Sequence, residues 1–318
     1  MENLQSVPVT TSSGFTTKNA CREVPAEEIE KWYIPKPSIG FADIAGAKDL
    51  KERLLNDLQI HYDVANDPIW QSLFGKCLQT KYLFYSIDPG FMGRMVNAYI
   101  ATNMDKGVPC IRLRGDELHY RFVGVAEQVI RIAFQEAMDH APCLLVIDDV
   151  DSVCADASAA TERYQLRLRA AFLEAFCNLR DSEKPVILLC TTLAPERVYP
   201  SLVDKVQLLR IPLPRMEDRV CFFENLRTTW QTKGYPISWA EDLTAEHMAA
   251  ATDLYSYRQL EMLEEEMRFN LARLAQMQPN AQLLLNRELF SQALLQRPKS
   301  DMTLWLEKQR LFEEEHIG

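Results

Sequence analysis

Two neighbouring carboxylates, Asp148 and Asp149, close the apolar run Cys143-Leu144-Leu145-Val146-Ile147. Such a run reads as a buried strand, so the acids stand where it meets solvent. One of them can hold a divalent cation through oxygen while its neighbour orients a water. Upstream, the segment Ser86-Ile87-Asp88-Pro89-Gly90-Phe91-Met92-Gly93-Arg94-Met95 follows a second apolar run and leads into a helical pattern. A strand, a glycine-bearing turn and a helix N-terminus make an anion cradle, because free amides and the helix dipole face the charge. Two glycines in a turn are a weak signal alone. They gain weight because the acid pair lies one strand-and-helix unit away.

The elements that must position these residues follow from patterning. Strand-like runs occur at 81–85, 109–113, 143–147 and 186–190, with a weaker one at 206–211, and helical patterns such as 125–138 and 163–179 lie between them. Strands that are apolar throughout and alternate with helices imply a parallel sheet buried on both faces. In such a sheet ligands bind at the carboxyl ends of the strands, where both candidate segments fall. Beyond Pro214 the pattern is helical only, over 215–229, 244–251, 256–276 and 287–296, with a last helix at 301–315. The division is a flexible N-terminal segment at 1–37 with a short helix near 25–32, an α/β subdomain at 38–214, and a helical lid with a C-terminal helix at 215–318. A βα block followed by an all-helical block suggests a cleft between the last two.

Composition narrows the function. A net charge of −10 without a run of Lys or Arg argues against a nucleic-acid groove. The eight cysteines form no CxxC pair and have no His at metal spacing, so they read as reduced, structural residues. No stretch approaches the ~20 apolar residues of a membrane span, and the N-terminus lacks the order of a secretory signal. These features point to a cytoplasmic protein.

The order of the segments resembles AAA+ ATPases of the katanin–spastin type, the meiotic clade, from about Phe41 onward. Phe41 to Gly46 is similar to the family's opening motif, which places Ile44, Ala45 and Gly46 beside the adenine. The segment containing Pro89, Gly90, Gly93, Arg94 and Met95 is similar to its Walker A loop, and Pro142 through Ser152 to its Walker B strand. Arg121-Phe122-Val123-Gly124 followed by Glu127 resembles the first pore loop, with Phe122 gripping a polypeptide. Ile211-Pro212-Leu213-Pro214 resembles the hinge into the lid, and Ser256 through Leu260 the lid motif, which brings Tyr257 to the nucleotide. The resemblance implies a P-loop AAA+ module that binds ATP and Mg²⁺, with Asp148 as metal ligand and Asp148, Asp149 and Arg94 as the catalytic set. It further implies protein clients or AAA+ partner subunits in a homo- or hetero-oligomeric ring.

Departures from the family cluster on catalysis. Counting back from Gly93-Arg94, Asp88 takes the first glycine position, and two unit charges ~4 Å apart repel by about 4 kcal/mol at an effective dielectric near 20. Aligning Pro89-Gly90 instead leaves one extra residue before Gly93. Arg94 replaces Lys with a broad planar fork, and Met95 offers sulfur where a hydroxyl should reach a hard cation. Asp149 replaces Glu and retracts its carboxylate by roughly 1.5 Å, a misplacement of the order that costs about a hundredfold. Leu193 stands at the sensor Asn, Val203-Asp204-Lys205-Val206 lacks the arginine fingers, and Tyr257 replaces a small residue where it would crowd or stack on an adenine. The first reading is therefore an AAA+ protein acting on clients or within a ring, with ATP held weakly, Mg²⁺ held poorly and hydrolysis impaired. A second is a working ATPase that threads proteins with a divergent loop. A third, a nucleic-acid-linked module, is opposed by the charge.

Overall fold

The computed structural model describes residues 24–75, 78, 80–118, 124–156, 163–182, 184–277 and 283–317. The apolar runs form β1 (Lys81–Tyr85), β2 (Cys110–Arg114), β3 (Cys143–Asp148), β4 (Val186–Thr192) and β5 (Gln207–Arg210). They pair in parallel in the order β2-β3-β4-β1-β5. Alternating side chains feed two cores. Tyr82, Phe84, Leu144 and Val146 enter the one shared with α2 (Lys48–Asn66) and α4 (Pro89–Asp105), while α3 (Pro68–Phe74) follows α2 on the outside. Leu83, Tyr85, Leu145 and Ile147 enter the other, beneath α6 (Val125–Asp139) and α8 (Arg163–Asp181). Short helices α5 (Gly115–Leu118), α7 (Val150–Val153) and α9 (Pro200–Val203) follow β2, β3 and β4 at the carboxyl edge of the sheet.

The expected flexible lead-in is shortened by what the structure shows from Val24 onward. Helix α1 (Ala26–Glu30) and the residues after it pack against β2, with Trp32 buried and Tyr33 bridged antiparallel to Ile111. The Arg112 amide donates to Trp32 O at 2.9 Å, and the Ile34 amide to Cys110 O at 3.3 Å. An edge strand that would otherwise expose unpaired amides is thereby covered.

The lid carries its own core around Phe223, Trp230, Met248, Leu263 and Phe290. It is built from α10 (Met216–Thr232), α11 (Ala245–Ala251), α12 (Tyr257–Met277) and α13 (Arg287–Gln296). To these helices the structure adds a short parallel pair, β6 (Ile237–Trp239) with β7 (Leu283–Leu285). The last helix, α14 (Thr303–His316), was grouped with the lid by chain order but packs on the α/β core. Phe312 is buried against Tyr85, and Glu313 receives the Tyr85 hydroxyl at 3.1 Å and Arg210 at 3.2 Å. No helix among the described residues is long and apolar enough to cross a membrane.

Candidate functional site

The turn after β1 is much shorter than an anion cradle needs. Ser86, Ile87 and Asp88 alone separate Tyr85 from Pro89, the first residue of α4. Asp-Pro is a strong helix start: the acid caps, and proline at N1 gives up no needed amide. Gly90 and Gly93 therefore lie in the first turns of the helix and not in a loop, which corrects the expected glycine-bearing turn.

Asp88 is fully buried and its carboxylate is used on both sides. Oδ1 accepts from the amides of Gly90 at 3.1 Å and Phe91 at 3.2 Å, and Oδ2 from the amide of Tyr257 at 2.7 Å. The first two amides open α4 and the third opens α12, so two helix N-termini converge on one carboxylate. Burial pushes this acid above its ordinary range, against the pull of the amide hydrogen bonds. The charge that sequence reasoning set against a bound polyphosphate has become an internal partner of the amides.

Beside it, the rings of Phe91 and Tyr257 stack with centroids 3.6 Å apart and planes 11° from parallel. Tyr257, expected to crowd or stack on an adenine, has its ring stacked on Phe91. Its hydroxyl is buried without a hydrogen-bond partner, next to Gly46. A Cβ on Gly46, whose φ is +74°, would lie 2.4 Å from that oxygen and 2.6 Å from Asp218 Cβ, so this position requires glycine for both space and backbone. Asp218 of α10 accepts from the Ala47 amide at 2.8 Å, and Lys51 donates to Ile44 O at 2.8 Å. Ile44, Ala45 and Gly46 are thus held against the lid, with Ile44 buried.

Arg94 bridges the same gap, pairing with Glu261 of α12 and donating to Asp43 O at 3.1 Å. Met95 is fully buried in the α2–α4 core. The acidic stretch from Glu261 to Glu266 is in part a set of partners: Glu261 pairs with Arg94, Glu264 with Arg268, and Glu266 with Arg297.

At the end of β3, Asp148 receives Arg112 Nε at 2.5 Å on one oxygen and Thr191 Oγ1 at 3.0 Å on the other. Arg112 also donates to Asn97 at 2.8 Å. Asp149 sits in the left-handed region, with φ +53°, and its amide donates to Thr191 Oγ1 at 3.3 Å. Burial raises its acid above the ordinary value, and Asp148, Asp151 and Asp116 raise it further by like charge. Gly115 allows this corner to form, since a Cβ there would lie 2.6 Å from Asp149 O and 2.9 Å from Asp148 O. Thr192, next to Leu193, donates to Asp151 at 2.7 Å. Lys205 donates to Ser201 at 3.0 Å. Phe122 lies outside the described residues.

The structure thus brings Asp88, Gly90, Arg94, Gly46 and Tyr257 into one cluster, with Asp148 and Asp149 at the end of β3. Sequence reasoning missed Phe91, Arg112, Asp218 and Glu261. Arg112 alone carried a signal, as a charged residue inside an otherwise apolar strand. Among the described residues no group of three or more His, Cys, Asp or Glu side chains is placed to hold a metal ion.

Comparison with known proteins agrees with this architecture. Residues 93–212 match the family described as ATPase family associated with various cellular activities (AAA). The match begins at Gly93, past the turn that follows β1. Protein SAV of Sulfolobus acidocaldarius is 26% identical over 263 residues, covering 80% of this chain and 31% of that protein. The ATP-dependent zinc metalloprotease FtsH of Aquifex aeolicus is 28% identical over 247 residues, covering 74% and 36%. The chain therefore spans about a third of the length of these relatives. The crystal structure of the FIGL-1 AAA domain superposes with a TM-score of 0.71 at 18% identity, over 91% of this chain and 94% of that one.

Proposed function

We propose that the chain carries an AAA ATPase domain and works as a subunit or scaffold of an AAA ring, handling protein clients with little or no ATP hydrolysis. One observation carries the reading: the amides that would receive phosphate are satisfied by Asp88, and the Phe91–Tyr257 stack fills the space beside Gly46. A phosphate entering here meets a buried carboxylate and must displace it, at a repulsion of about 4 kcal/mol for charges ~4 Å apart.

The metal side supports the same conclusion. Mg²⁺ wants oxygen ligands in a tight octahedron, at about 2.0–2.1 Å. Both oxygens of Asp148 are engaged by Arg112 and Thr191, and Met95 points into the core. These residues do not fit the ion. Arg94, tied to Glu261, is not free to follow a phosphate.

A protein client is inferred from a relative that is an ATP-dependent protease, and from the resemblance of the segment around Phe122 to a pore loop. A cytoplasmic setting fits the free thiols of Cys110, Cys143, Cys154 and Cys190, all buried, with Cys143 and Cys154 pushed up to about 12 by burial.

Steady-state turnover tests the reading. Purified protein should release no phosphate from Mg-ATP above buffer, and the Asp149→Asn variant should behave identically. Millimolar Mg-ATP should leave the melting temperature within about 1 °C, whereas a ligand at ~100 times its Kd would add about 2.7 kcal/mol. Turnover that falls in Asp149→Asn would instead establish a working ATPase with a divergent loop. Phe122→Ala should abolish client handling, and unchanged handling would remove the pore assignment.

A further inference from the structure

We infer that Asp88 is a built-in substitute for nucleotide phosphate, a latch that holds the lid closed on the α/β core with no ligand bound. The inference rests on the reading of a silent nucleotide site and adds how the lid is governed there.

Two features make Asp88 more than the cap of its own helix. First, its oxygens divide the work: Oδ1 serves Gly90 and Phe91 in α4, and Oδ2 serves Tyr257 across the subdomain boundary. Second, α12 already has a cap of its own. Ser256 Oγ accepts from the Gln259 amide at 3.2 Å, and Gln259 Oε1 accepts from the Ser256 amide at 2.9 Å, forming a reciprocal capping box. That box leaves the Tyr257 amide unserved, and Asp88 takes it.

Each N-terminus presents a partial positive charge, so two converging ends call for an anion between them. Here the chain supplies that anion from a residue fixed by β1 on one side and Pro89 on the other. Further ties close around it. Phe91 stacks on Tyr257, Arg94 pairs with Glu261, and Gly90 lies so close to α12 that a Cβ would stand 3.2 Å from Arg258 Cβ. The lid position is thereby independent of nucleotide, and so is the surface that lid and core jointly offer to a neighbouring subunit.

Asp88→Asn separates latch from cap. Asparagine caps a helix about as well as aspartate, so α4 keeps its start. With Oδ1 kept on α4, the amide group turns its N–H toward the Tyr257 N–H, donor against donor. The measurement is amide hydrogen exchange by NMR on the full chain, without nucleotide. In the wild type, Tyr257 should be protected like the interior of α12, and Mg-ATP should add nothing. In Asp88→Asn, exchange at Tyr257 should rise roughly tenfold or more, as expected for loss of a hydrogen bond to a charged group. Amides inside α4, such as Ile100, should be unchanged. Wild-type Tyr257 exchanging like a frayed terminus overturns the latch even if the variant does not fold, and so does unchanged exchange in a folded variant. Slowing of wild-type exchange by Mg-ATP would instead sink the reading of a silent site on which the latch rests.

Discussion

The Tyr257 hydroxyl offers a sharp test of the closed cleft, because removing it should stabilise the protein. The ring is 4% exposed and stacked on Phe91, while its oxygen is buried with no partner beside Gly46. A buried, unsatisfied hydroxyl costs about 1–3 kcal/mol. Deleting one oxygen forfeits dispersion contacts worth only ~0.1–0.2 kcal/mol each. Tyr257→Phe should therefore gain on the order of 1 kcal/mol, read as a higher urea midpoint at unchanged slope. Tyr257→Ala should go the other way. Truncating a buried aromatic costs ~3–5 kcal/mol, and relief of the orphan hydroxyl offsets part of that, leaving a loss of about 2–4 kcal/mol. If Tyr257→Phe lowers stability by more than about 0.5 kcal/mol, the oxygen has a partner and the cleft is not filled as described.

The remaining expectations concern the end of β3. Arg112→Ala leaves Asp148 mostly buried without its cation and should cost about 3 kcal/mol; Arg112→Ala together with Asp148→Asn should recover much of this in a double-mutant cycle, and strict additivity would show that the pair does not interact. Asp149 has a folded acid constant above its ordinary 3.8. Its contribution to stability is therefore fully present below that value and is lost as pH rises through the higher folded value. Asp149→Asn cannot ionise, so its stability profile should be flatter from about pH 4 upward and match or exceed the wild type at pH 7; a neutral-pH loss in thermal melts would contradict the like-charge account.

Much of the fold was legible because its signals are periodic and local. Strands buried on both faces must read as unbroken apolar runs, and β3 and β4 do so. The helical block beyond Pro214 followed from the change of period. What stayed hidden was whatever depends on partners distant in sequence. Nothing in the spacing says that Glu261 meets Arg94, or that α14 returns to Tyr85, because neither contact has a local signature. The docking of the lead-in on β2 had no local signal, because Trp32 is buried and Tyr33 half-buried against a sheet edge distant in sequence, and their own neighbourhood is too short to show periodicity.

Asp88 is the instructive failure. As an isolated charge at a glycine position it reads as damage to a phosphate site. Read as Asp-Pro, it is a helix start, and that reading alone removes the loop. Once α4 begins at Pro89, Gly90 and Gly93 cannot line a turn, and the amides that a loop would have pointed at a ligand need an acceptor at once. Asp88 is the residue next to them, and burial beneath α12 makes its second oxygen seek another donor. The tyrosine at position 257 then fits because no ligand competes for the space beside Gly46. The roles of Asp88, Phe91, Arg94 and Tyr257 are therefore coupled. Replacing Asp88 by glycine alone should not create a nucleotide site, since the Phe91–Tyr257 stack and the Arg94–Glu261 pair would still close it.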